Sequence, residues 1–82
     1  MADATLVLDC RGQLCPVPII ELGKAFGLTE PGQELTLITD DPAAASDVAA
    51  WCRLRGQLLV SESPAAPSPT GRAATAYVIR HS

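Results

Sequence analysis

The 82-residue chain is poor in aromatic, basic and imidazole side chains: it has one phenylalanine, one tryptophan, one tyrosine, one histidine, and six lysines and arginines together. With so few rings, the core has to be built from Leu, Val, Ile and Ala, which suits a small layered structure of helices and strands. Arg11, Lys24, Arg53, Arg55, Arg72 and Arg80 stand singly in a chain of net charge −3. No stripe of them could neutralise many phosphates, so tight direct nucleic-acid binding is not expected. Apolar runs stop at "LVL", "VPII" and "LLV", far below the ~20 residues that span a bilayer. The first residues show no basic region leading into an apolar stretch, and a cytoplasmic protein without membrane association is the expectation. At this length one domain over residues 1–82 is expected, burying only about 60 % of its unfolded surface.

What is present is an order of elements. "ATLVLDC" (4–10) reads as a strand ending near Asp9, because it is short, β-branched and apolar. From Pro16 to Leu28 the period becomes helical: Ile19, Leu22 and Phe26 share one face while Glu21 and Lys24 lie on the other. "TEPG" stops that helix. "QELTLITD" (33–40) alternates as a second strand, with Leu35 and Leu37 opposite Thr36 and Ile38.

A second helix is expected from "DDP", with Asp41 as cap, Pro42 at the first helical position and Gly56 as the left-handed stop. Ala44, Ala45, Val48, Trp51 and Cys52 would face inward. "QLLVSES" (57–63) and "TAYVIRH" (75–81) read as strands three and four, joined by a Pro- and Ala-rich loop, "PAAPSPTGRAA". The fold class is therefore α+β: a two-layer α/β sandwich of order β-α-β-α-β-β, with two helices on one face of a four-stranded mixed sheet. Strands one and two should be parallel, so "RGQLCP" and "TDDP" open onto the same sheet edge, where a site is expected.

Three cysteines cannot all pair within one chain, and in a reducing compartment they are thiols. Cys15 stands just before Pro16, Val17 and Pro18. If Pro16 opens the helix, Cys15 is its N-cap, and free amides together with the helix dipole favour the thiolate there. The two prolines cost a first turn little, since its amides lack intrahelical partners, and they stiffen the entrance. Val17 and Ile20 fall off the inward face and leave apolar surface beside the sulfur.

Cys10 brackets the same turn. It is either the partner of Cys15 in a reversible disulfide or a small semi-buried residue. Arg11 could stabilise an anionic sulfur or simply be a solvated turn arginine, and Asp40 stands open as a candidate acid. Cys52 reads as structural, and Trp51 and Tyr77 as packing groups. No Cys-x-x-Cys or neighbouring histidine supports a metal site, and His81, next to the last residue, is a poor base for a cysteine hydrolase.

"LDCRGQLCPVP" with its Cys-Pro-x-Pro core, "PGQELTLITDDP", "AAWCRLRG" and "YVIR" together resemble the TusA/SirA-like sulfur-carrier family, in the right order over almost the whole chain. The resemblance implies a sulfurtransferase of the same β-α-β-α-β-β sandwich that takes sulfane sulfur as a persulfide on Cys15. The donor would be a cysteine desulfurase or a rhodanese-like protein, the recipient an acceptor sulfurtransferase in a relay, and no cofactor or metal is implied. Acceptors in the family serve tRNA thiolation, molybdenum-cofactor maturation or sulfur oxidation. Val17 between the prolines, Lys24 as the first helix's only base and the ending "RHS" depart from many relatives. Those departures bear on partner choice rather than on sulfur chemistry. The alternative is a thiol-redox or regulatory module using a Cys10–Cys15 disulfide, and a third reading is an interaction domain in which Cys-Pro only bounds a helix.

Overall fold

The computed structural model describes residues 6–12, 17–67 and 71–81; for Val17 and Pro18 it describes the backbone alone. Its elements run β1 (Leu6–Asp9), α1 (Val17–Phe26), β2 (Glu34–Thr39), α2 (Ala44–Arg55), β3 (Leu58–Ala65) and β4 (Ala74–Arg80). The sheet order is β1-β2-β4-β3. β1 and β2 are parallel, with Leu6 opposite Leu35 and Leu8 opposite Leu37. β4 lies antiparallel to both β2 and β3. The α+β fold of four mixed strands and two helices is the one expected.

β2 shows how the alternation sets the core. Leu35, Leu37 and Thr39 are buried while the residues between them are partly exposed, because β2 is central and one of its faces is covered by helices. Leu22, Ala25 and Phe26 of α1 and Ala44, Val48, Trp51 and Cys52 of α2 close over that face with Tyr77 and Ile79 of β4. The Phe26 and Trp51 rings meet at 5.0 Å between centroids, tilted by 56°, within the range favoured by aromatic quadrupoles.

Three expectations shift. α2 begins at Ala44, with Ala43 as its N-cap and no side-chain cap. Asp41 still serves the turn before it, since its Oδ1 accepts from the Ala43 amide at 3.0 Å, as short acidic side chains do for amides two residues on. Ala45 is exposed, because a helix whose inward positions are 44, 48, 51 and 52 turns residue 45 about 100° away. β3 runs on through Pro64 and Ala65, which pair with Thr75 and Ala74. Proline is tolerated there because β3 is an edge strand and has no ladder to serve on its outer side. Gly56 ends α2 at φ 70°, as expected.

Candidate functional site

Parallel pairing brings the C-terminal ends of β1 and β2 to one edge of the sheet. Antiparallel pairing brings the end of β3 and the start of β4 to the same edge. After β1 the chain is fastened there step by step. The Cys10 amide donates to the Ile38 carbonyl at 2.7 Å. The Gly12 amide donates to Asp40 Oδ1 at 3.0 Å. Gly12 has φ 87°, a backbone state that costs a glycine nothing and strains other residues. Asp40 is buried, with 5 % exposure. The candidate acid is thus a tether between the two loops, joining residues 28 positions apart.

Arg11 is engaged by Asp9. Its Nη2 and Nε donate to the two carboxylate oxygens at 2.6 and 2.8 Å, and its backbone amide adds a contact of 3.2 Å to Oδ1. These bonds hold the Asp9 carboxyl down at about 2, and they keep the Arg11 guanidinium charged. Arg11 Nη1 also donates to the Ala66 carbonyl at 3.0 Å, drawing the connection after β3 back toward β1. Arg11 is therefore a strut across this edge, its charge already answered by Asp9.

Two of the three thiols are placed. Cys10 is 3 % exposed and Cys52 4 % exposed, both within the apolar core, and both are free. Burial pushes each thiol up from its ordinary value, and at Cys10 the Glu21 and Asp9 carboxylates push the same way. Both are thereby biased against the nucleophilic thiolate. Cys15 and Pro16, and with them the expected N-cap, lie outside the described residues, as do the side chains of Val17 and Pro18. What is described is the frame around them: Gly12 anchored on Asp40 on one side, and on the other a ten-residue helix beginning at Val17 with no acidic residue in its first turn. Ile20, one turn into that helix, is 50 % exposed, as its position off the inward face required.

Next to this frame, Thr39, Asp40, Asp41, Pro42, Arg72 and Tyr77 line an open cleft of about 430 Å³. Tyr77 is buried, and its hydroxyl is pushed up by burial and by Glu62, against a Thr75 hydrogen bond that pulls it down. His81 is at the far edge, where its Nδ1 lies 2.6 Å from Thr29 Oγ1. Because Thr29 Oγ1 spends its hydrogen on the Phe26 carbonyl at 2.9 Å, it accepts from His81 Nδ1–H, which fixes the proton on that nitrogen. Among the described residues no three His, Cys, Asp or Glu side chains form a metal-holding group, and no helix is long and apolar enough to cross a membrane.

The sequence pattern had no means of pairing Asp40 with Gly12, or Arg11 with Asp9 and Ala66. The first and last of these contacts depend on strand register, and the middle one on side-chain reach. Compared with known proteins, the chain matches the family described as Sulfurtransferase TusA over residues 6–69. It is also similar to the SirA-like protein from Desulfitobacterium hafniense, known from a crystal structure. Identity is 21 %, with 90 % of this chain and 95 % of that chain covered and a TM-score of 0.64; at this identity the likeness is one of fold.

Proposed function

As the chain belongs to the TusA sulfurtransferase family, whose members work with partner proteins in sulfur relays, we propose that it carries sulfane sulfur as a persulfide on Cys15. The observation that carries the assignment is the state of the other two thiols. Cys10 and Cys52 are sealed in the core and pushed toward the neutral form, which leaves Cys15 as the thiol for exchange. Cys15 is two residues from Val17 in the sequence, so chain connectivity limits the two Cα atoms to ~7.6 Å. That is close enough for the positive end of α1 to favour a thiolate.

The chemistry is thiol exchange in two balanced steps. The Cys15 thiolate attacks the outer sulfur of a donor Cys–S–SH; the new S–S bond forms as the old one breaks, and the donor cysteine leaves as thiolate. An acceptor thiolate then attacks the outer sulfur of Cys15–S–SH, and Cys15 leaves as thiolate. No electrons are gained or lost overall, and no cofactor takes part. The donor is a cysteine desulfurase or rhodanese-like protein, and the acceptor another sulfurtransferase. Ile20, half exposed one turn into α1, offers apolar surface on which such a partner closes.

Incubation with a cysteine desulfurase and cysteine tests this. Wild type should gain the mass of one sulfur, and Cys15→Ser none; a gain that persists in Cys15→Ser rejects the assignment. The disulfide alternative finds no support in the surroundings of Cys10, whose buried, neutral-biased thiol is a poor exchanging partner.

A further inference from the structure

Both helices cover one face of the sheet, and the alternate positions of the strands form the other. Read from β1 to β3, that face consists of cross-strand rows. Glu34, Arg80 and Leu58 make the row farthest from Asp40. Val7, Thr36, Val78 and Ser61 make the next, and Asp9, Ile38, Ala76 and Ser63 the one after it. Thr36, Ile38, Ala76 and Val78 are partly exposed, while Val7 is 58 % and Leu58 53 % exposed.

A sheet face turned to water ordinarily carries polar residues. Strand propensity accounts for β-branched side chains such as Thr36 and Ile38 wherever they point. It does not account for Val7, an exposed apolar residue on an edge strand, where charge is the usual guard. The middle of this face is apolar and uncharged, and charge stands at its ends, Glu34 with Arg80 at one and Asp9 with Arg11 at the other. An apolar centre inside a polar rim is how protein interfaces are built.

We propose that this face binds a second copy of the chain, face to face, about a two-fold axis that runs along the strands between β2 and β4. The charge pattern selects both the partner and the axis. Such an axis lays each β2 residue over its own cross-strand neighbour on β4, now supplied by the other copy. Glu34 is in register with Arg80 and joined to it at 2.9 Å. In the dimer Glu34 also meets Arg80 of the second copy, and Arg80 meets the second copy's Glu34, so charges of alternating sign close that end. Thr36 faces Val78 and Ile38 faces Ala76 across the middle. An axis across the strands would instead lay Glu34 and Arg80 on Ile38 and Ala76, burying charge against apolar side chains at a cost.

Sheet twist turns the two sets of strands by about 30°, a displacement within an arginine's reach at a row next to the centre. Four strands about 4.8 Å apart and six residues long offer roughly 400 Å² of flat face per copy, at the lower end of specific interfaces, so the dimer is a reversible one. Because the axis follows the strands, the edge where Gly12 is tied to Asp40 points the same way in both copies. The dimer thus presents two candidate sites side by side and leaves that edge uncovered.

Sedimentation equilibrium in reductant, over roughly 10 to 500 µM, tests this with wild type, Glu34→Arg and Arg80→Glu. Wild type should pass from 8.5 kDa toward twice that mass. Each variant sets like charges over one another and should weaken association by at least about tenfold. Both variants break the internal ion pair alike, so damage to the fold alone would persist when they are mixed. Mixed one to one they should associate at least as well as wild type, because the two arginines of one copy then meet the two glutamates of the other.

Wild type that stays at 8.5 kDa throughout overturns the proposal, as does a mass above two copies. Variants that associate like wild type overturn it too, as does a mixture that associates no better than its components. Should either charge variant lose its far-ultraviolet circular dichroism, Thr36→Lys replaces it. A charge there, in the middle of the face, should leave only the single chain, and a dimer that survives it contradicts the proposal.

Discussion

The two edges of the sheet are closed by different chemistry. Where β1 and β2 end, charged side chains hold loops: Asp9 grips Arg11, Arg11 reaches the Ala66 carbonyl, and Asp40 holds the Gly12 amide. At the opposite edge the main chain does most of the closing. The Gly32 amide donates to the His81 carbonyl at 2.7 Å and the His81 amide to the Gln33 carbonyl at 2.9 Å. The His81 ring then packs 5.6 Å from Phe26 and binds Thr29. The six residues of β2 separate these edges, a distance of ~20 Å. The chain's one histidine is thus committed to structure at the edge away from Gly12 and Asp40. On the persulfide-carrier reading, activation of the thiol then falls to helix-end electrostatics, which suits exchange between sulfurs better than hydrolysis.

The contrast can be broken by removing one tether at each edge. Asp40→Ala should have the larger effect. It removes the part-buried hydrogen bond that holds the Gly12 amide, together with the buried carboxyl that makes it, and costs about 1–3 kcal/mol in urea unfolding. It should also slow sulfur loading by at least about threefold, because the loop before Cys15 loses its anchor. His81→Ala removes the Thr29 hydrogen bond and the ring contact, about 1–2 kcal/mol, and should leave the loading rate unchanged. Equal loading rates in the two variants would show that the edges do not differ in function.

The smallest effect sharpens the comparison by pH. The Asp9 carboxyl is lowered from 3.8 to about 2 in the folded chain, so its stabilisation is complete above the unfolded value and is lost as pH falls through the folded one. The difference in urea midpoint between wild type and Asp9→Asn should therefore be constant from neutral pH down to about 4. It should then close toward pH 2. A difference that stays constant through that acid range would point away from the Asp9–Arg11 pair.

Much of this architecture was legible in the residues. β2 was readable because a central strand with one covered face has to alternate, and α1 because Leu22 and Phe26 repeat at helical spacing. Gly56 marked its helix end through a backbone state that glycine favours. The start of α2 was misplaced by two residues, because an aspartate that holds an amide in a turn looks the same in sequence as one that caps a helix. Pro64 concealed the last pairs of β3, because edge or centre is a property of strand order. At the site, the family was readable from the run of motifs taken together, while Cys15 and Pro16 lie outside the described residues. The roles of Asp40 and Arg11 were not readable: Asp40 acts over 28 residues of chain, and Arg11 engages the carboxylate of Asp9 through side-chain reach.

The central claim, that one thiol of three bears the sulfur, is tested most directly by peptide mapping. After loading by a cysteine desulfurase and alkylation to fix the persulfide, trypsin can cut after Arg11, Lys24 and Arg53, so Cys10, Cys15 and Cys52 fall in separate peptides. The account predicts the extra sulfur in the peptide 12–24 and in no other. Sulfur found with Cys10 or Cys52 and absent from 12–24 would contradict it.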